Sequence, residues 1–143
     1  KAKLYSYSQR WASGIDSAST CNFIFNTWSI FGFGELMKLI QAVTGWEYTL
    51  YEFMLLGERR INMMKAYNIR EGFGVEDDDL PDRLFKDPLE DEGPAGGSKV
   101  DREKFIEARR AYYAINGWDQ ESGVPSQYKL KEMGLDWALE YIN

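Results

Sequence analysis

Histidine is absent from the 143 residues, and Cys21 is the only cysteine. Without an imidazole, nucleophilic chemistry that relies on a histidine base and most zinc sites are excluded within this chain. A lone thiol excludes an internal disulfide framework, so a reducing, cytoplasmic setting is the expectation. No apolar run is long enough to span a membrane, because the longest, Phe23 to Phe33, is interrupted by Asn26, Ser29 and Gly32. No secretory signal is visible. A formal charge of -6 lacks the clustered Lys and Arg of a nucleic-acid surface and disfavours an anionic membrane for the same reason. The chain also has no initiating methionine and opens mid-pattern at Lys1, which reads as a piece of a longer protein.

Apolar residues make up 44 % of the sequence and aromatics 15 %, enough for one packed core at this length. Residues 1–143 are therefore expected to form a single helical domain. Leu4, Tyr7, Trp11 and Ile15 recur at helical spacing over residues 4–15. Glu35 to Val43 carries a stripe of Leu36, Leu39, Ile40 and Val43 and stops at Thr44-Gly45. Thr49-x-x-Glu52 is a capping box that starts the longest helix, Leu50 to about Tyr67. Leu50, Phe53, Met54, Gly57, Ile61 and Met64 are expected on its inner face, with Glu58, Arg59, Arg60 and Lys65 largely elsewhere. Gly57 costs about 1 kcal/mol relative to Ala and is tolerable where another backbone crosses.

From Gly72 to Val100, Pro81, Pro88 and Pro94 with Gly93, Gly96 and Gly97 forbid long regular elements. Leu80, Leu84, Phe85 and Leu89 favour a loop that lies down on the protein, and Asp77-Asp78-Asp79 reads as a solvated acidic turn. Asp101 caps a helix to Ile115 with Phe105, Ala108, Tyr112 and Ile115 inward, ended by Asn116-Gly117. A short helix follows from Gln127 to Met133, then a last one from Trp137 to Ile142 capped by Asp136. The expected fold is all-α, an irregular bundle of about five to seven helices with one long acidic Pro/Gly-rich loop.

The chemistry-bearing stretch is Asp16-Ser17-Ala18-Ser19-Thr20-Cys21, followed by Phe23-Ile24-Phe25. On chemistry alone Cys21 reads first as a buried small apolar side chain, with a thiolate ligand to iron as the alternative. Asp16 reads first as a cap, with a carboxylate that accepts from a donor-rich heterocycle as the alternative. Three other patterns fail their own requirements. Gly32-Phe33-Gly34 has Met37 in place of a third glycine, and Glu35 would repel a phosphate. Asp77-Asp78-Asp79 lacks the alternation and glycine of a calcium loop, and nothing around Glu47 and Glu52 signals a sugar cleft.

Asp16 to Cys21 resembles the D-x-x-G-L-C segment of the tungsten-containing aldehyde ferredoxin oxidoreductase family. Further matches follow in order. Gly57-Glu58-Arg59 and Asn68-Ile69-Arg70-Glu71-Gly72 are similar to its G-E-R helix and N-x-R-E-G segment. Asp78-Asp79-Leu80-Pro81-Asp82-Arg83 is similar to its D-D-x-L-P-x-R stretch. Tyr112-Tyr113, Gly117-Trp118-Asp119, Gly123-Val124-Pro125 and Leu130 to Leu135 are similar to its closing patterns. One departure stands out: the family's Gly-Leu before the cysteine is Ser19-Thr20 here.

The resemblance implies the C-terminal helical part of a tungstopterin oxidoreductase that oxidises an aldehyde by two electrons and passes them to ferredoxin. It implies Cys21 as the metal ligand, one of four to a 4Fe-4S cluster, and Asp16 with the Thr20 backbone as contacts to a tungsten (or molybdenum) bis-pterin. Aromatic residues after Cys21 would shield the cluster. The implied partners are the N-terminal remainder of the enzyme, ferredoxin and a small aldehyde, with no nucleic acid and no membrane. No catalytic residue is expected in this chain, and alone it is expected to bind no cofactor and do no chemistry. The family's ferredoxins being acidic, the acidic loop is not expected to dock them. The rival expectation is a free-standing helical interaction module that uses exposed aromatics such as Trp28 and Phe31. A third is a branch acting on thioesters of aromatic acids or on hydroxy acids.

Overall fold

The computed structural model describes residues 1–26, 31–90 and 93–142. Among these residues there are seven α-helices and a closing 3-10 helix, with no strand. The helices are α1 (Ala2–Ser17), α2 (Asn22–Phe25), α3 (Phe33–Thr44), α4 (Leu50–Arg70), α5 (Arg83–Lys86), α6 (Arg102–Ile115) and α7 (Gln127–Glu132); the 3-10 helix is Asp136–Glu140. The all-α expectation holds.

α4 is the spine. Its capping box forms as expected, with Glu52 N–H donating to the Thr49 hydroxyl at 3.2 Å and Thr49 N–H to the Glu52 carboxylate at 2.9 Å. Three small cores hang from it in sequence. Phe53 packs with Trp11, Ile15 and Leu36; Ile61 with Tyr113 and Trp118; Ala66 with Leu130, Met133, Leu135 and Ala138.

The crossing of α1 over α4 sets the site's geometry. A Cβ on Gly57 would lie 1.9 Å from the Arg10 carbonyl oxygen, so the α1 backbone occupies that space, as the glycine's cost suggested. So close a crossing selects small side chains. α1 buries Ser6, Ser13 and Gly14 beside Trp11 and Ile15, while Leu4 and Tyr7, expected inward, are exposed. α4 shows the same effect. Leu50 and Met64 are exposed, and Glu58 and Lys65, expected outward, are buried. Glu58 is only 4 % exposed because Arg10 at 2.8 Å and Lys129 at 3.0 Å neutralise it. Burial works against the Lys129 ammonium, yet its hydrogen bonds to Glu132 and Glu58 hold its pKa above the ordinary lysine value. Lys65 pairs with Asp78 at 2.5 Å and lies over the rings of Tyr113 and Trp118.

Of the four apolar residues expected to hold the long loop down, Phe85 is buried against Phe105 and under the Arg102 guanidinium and Leu80 is half-buried, whereas Leu84 and Leu89 are exposed. The loop's acidic run is the exposed turn that the composition suggested, and its carboxylates also find partners. Asp77 accepts from Gly74 N–H, Asp78 from Lys65 and the Tyr113 hydroxyl, and Asp79 from Arg102. In α6 the buried residue is Tyr113, packed with Ile61 and Trp118, with Asn116 beyond it accepting from the Ser6 hydroxyl, whereas Ala108 and Ile115 are exposed. Gly117 at φ 72° ends α6. Asp136 begins a 3-10 helix rather than capping an α-helix, since Leu135 is drawn into the third core. Phe23 to Phe33 opens as α2; Trp28 lies outside the described residues.

Candidate functional site

The exit of α1 positions every residue that the sequence singled out. Thr20 N–H donates to the Ile15 carbonyl and Ser19 N–H to the Asp16 carbonyl, both at 3.1 Å, the paired bonds of a Schellman ending. That motif needs a left-handed residue, and Ser19 supplies it at φ 55°. The glycine at this place in the family motif thus has a backbone reason, not only a spatial one. The Thr20 hydroxyl donates to the same Ile15 carbonyl at 3.1 Å. Both donors of Thr20 are thus spent on the Ile15 carbonyl.

Cys21 then caps α2, its carbonyl accepting from Ile24 and Phe25. Its side chain is exposed rather than buried, so the apolar-core alternative fails. The turn is seated on Trp11, whose indole N–H donates to the Phe25 carbonyl at 2.9 Å and whose ring meets those of Phe33 and Phe53. Phe23, two residues beyond the thiol, is 98 % exposed, and Ile24, Phe31, Phe33, Leu39, Val43, Trp46 and Tyr51 are exposed on the same and adjoining elements. So much exposed apolar surface is more than scattered surface residues account for, and such patches mark interaction sites.

Asp16 is held from two directions. The Asn22 side-chain amide donates to Oδ1, and Arg60 on α4 lies 3.4 Å from Oδ2. Arg60 also donates to the Ser13 hydroxyl at 3.3 Å. Neither Asn22 nor Arg60 was singled out from the sequence, although both had a signal. Asn22 directly follows the cysteine. Arg60 stands three residues after Gly57, on the flank that the close crossing turns toward α1.

Asp16 and Arg60 also border a groove of about 750 Å³ between α1, α4 and α6, walled by Tyr5, Ile61, Met64, Phe105 and Tyr112. Burial pushes the Tyr112 phenol up to about 12, and burial with the Asp78 hydrogen bond raises Tyr113 as well. Among the described residues no three His, Cys, Asp or Glu side chains gather as a metal site. The donors at the exit of α1 are one exposed thiol and one carboxylate fixed by two partners.

These features define a helical domain with one exposed thiol and an exposed apolar face. The family model described as aldehyde ferredoxin oxidoreductase, domains 2 & 3, matches residues 1–135, and the chain belongs to that family. It is 31 % identical over 137 residues to the tungsten-containing aldehyde ferredoxin oxidoreductase of Pyrococcus abyssi, covering 95 % of this chain and 21 % of that protein. The protein of the same description from Pyrococcus furiosus is 32 % identical over 136 residues, with 94 % and 21 % covered. The chain thus spans about a fifth of the length of the curated relatives it matches, in which this stretch is one part of a larger enzyme. Its fold is similar to a chain of the active-site complex BamBC of benzoyl coenzyme A reductase with 1,5-dienoyl-CoA. That likeness has a TM-score of 0.76 at 19 % identity and covers 97 % of this chain and 20 % of the other. No helix among the described residues is long and apolar enough to cross a membrane.

Proposed function

We propose that residues 1–143 are a single domain, the C-terminal helical part of a tungstopterin oxidoreductase that oxidises an aldehyde and passes the electrons to ferredoxin. In this reading Cys21 ligates a 4Fe-4S cluster whose other three thiolates come from the rest of the enzyme. Asp16 accepts hydrogen bonds from the amino and ring N–H groups of a pterin, and the Thr20 carbonyl accepts another. When bound, the tungstopterin supplies the two-electron chemistry and the cluster the one-electron relay.

The observation that carries the reading is the exposed Cys21 thiol, set beside a doubly held Asp16 at the end of one helix, in a chain that belongs to this family. The chain's own work is to hold these donors still. The Schellman ending fixes the thiol's backbone, Asn22 and Arg60 fix the carboxylate, and the apolar residues from Phe23 to Phe33 keep water from the cluster. The exposed aromatics that a free-standing interaction module would use become the seat for the remainder of the enzyme.

The test is Cys21→Ala in the full-length enzyme, with iron, acid-labile sulfide and the reduced-state EPR spectrum measured. Loss or conversion of the cluster is expected. An unchanged iron content and spectrum would overturn the assignment.

A further inference from the structure

The hydrogen bond between Asn22 and Asp16 links two places that the proposed function treats separately. Asp16 ends α1, and Asn22 is the residue bonded to Cys21 in the chain. Its side chain reaches back six residues to give Nδ2–H to Asp16 Oδ1. The amide orientation follows from chemistry, since the flipped form would set Oδ1 against a carboxylate oxygen. Among the described residues Asn22 Oδ1, itself buried, has no hydrogen-bond partner, and the contact with Asp16 is the amide's one polar anchor. Arg60 takes the other carboxylate oxygen. A carboxylate turns broadly about its last torsion when free, and one partner on each oxygen stops that turning. Each oxygen accepts again through its second lone pair.

We infer that Asn22 is a positioning residue that couples the pterin contact at Asp16 to the cluster ligand at Cys21, with Arg60 as the opposing brace. The inference rests on the cofactor reading above. Two cofactor contacts on one short turn then share a mechanical link. Displacing the Asp16 carboxylate moves the backbone that carries the thiol, and the reverse holds.

The experiment uses the full-length enzyme with Asp16→Asn, Asn22→Ala, Asn22→Asp and Arg60→Lys. Three quantities are read: tungsten and pterin retained on dialysis, iron content, and the reduced-cluster EPR spectrum. Asn22 occupies the first turn of α2, where a purely structural role favours an acidic side chain. A positioning role makes Asp worse than Ala, because its charge repels Asp16. The expected order of pterin retention is therefore Asn, then Ala, then Asp. Loss is expected to be about tenfold faster in the Ala variant, the scale at which contacts behind a ligand tune a site. Iron should stay full while the EPR spectrum shifts, and Arg60→Lys, which keeps the charge, should recover most of the retention. If Asp16→Asn retains tungsten and pterin fully, the cofactor reading itself fails. If Asp16→Asn loses them while Asn22→Asp behaves like the parent enzyme with an unchanged spectrum, the coupling is refuted and the cofactor reading stands.

Discussion

Gly57→Ala offers the sharpest test of how the site is held. In an exposed helix interior this change stabilises by about 1 kcal/mol through helix propensity. Here the new Cβ would sit 1.9 Å from the Arg10 oxygen, 2.8 Å from the Arg10 carbonyl carbon and 2.9 Å from Gly14 N. All three are backbone atoms, so no side-chain rotation relieves the clash. Restoring a normal carbon–oxygen contact of about 3.3 Å requires α1 and α4 to part by more than about 1 Å. That movement loosens Trp11, Ile15 and Phe53 and stretches the buried Arg10–Glu58 pair, now 2.8 Å. Overpacking of this kind costs about 1–3 kcal/mol, and a weakened buried ion pair adds to it. After the propensity gain, a net loss of about 2 kcal/mol is expected, or about 4–8 °C in melting temperature at this chain length. Gly34→Ala is the matched control, because its Cβ would meet nothing within 4 Å. Urea and thermal melts of both variants decide the matter. If Gly57→Ala were as neutral or stabilising as Gly34→Ala, the close crossing would be wrong, and with it the account of Arg60 beside Asp16.

Ser19→Gly should stabilise the protein by about 1 kcal/mol, since Ser19 holds a left-handed φ that glycine adopts freely; a lower melting temperature would contradict the Schellman ending. Asp78→Ala should destabilise by about 2 kcal/mol in urea titrations, discounted for the partial exposure of Asp78, because it strips Lys65 of its counter-charge and Tyr113 of its acceptor. A phenol whose folded pKa is raised favours the folded state fully below the unfolded value of about 10. That contribution should fade as pH climbs toward about 12 for Tyr112, and Tyr112→Phe should flatten the fall. Reversing the exposed charges at Asp87 and Glu90 should leave electron transfer to ferredoxin nearly unchanged in stopped-flow traces, whereas a large loss of rate would place docking on the acidic loop.

Helix existence was legible in the sequence wherever a cap and a period agreed, as at Thr49 to Glu52 and Asp101. Which face turns inward was less legible. Apolar periodicity nominated Leu4 and Tyr7 in α1 and Leu50 and Met64 in α4, yet the α1–α4 contact is closed by Gly57, Gly14 and Ser13. Small residues leave no hydrophobic trace, and a moment-based reading passes over them. Glu58 and Lys65 were misplaced for a related reason: their burial depends on Arg10, Lys129 and Asp78, which are far away in sequence. The candidate site residues Asp16, Thr20 and Cys21 come from the family resemblance. The turn that presents them was legible only as a cluster of small polar residues. Its left-handed Ser19 shows why glycine is the family's choice there.

Three separate cores along one helix among the described residues give this protein an uneven resistance to solvent. Amide protons around Leu130 and Leu135 and those around Trp11 and Phe53 belong to different packing units, joined through the length of α4. Deuterium uptake should therefore proceed in tiers, with the C-terminal unit able to exchange while the amides of the α1 exit remain protected. Damage at the far end of the molecule would then be slow to reach the turn that bears Cys21.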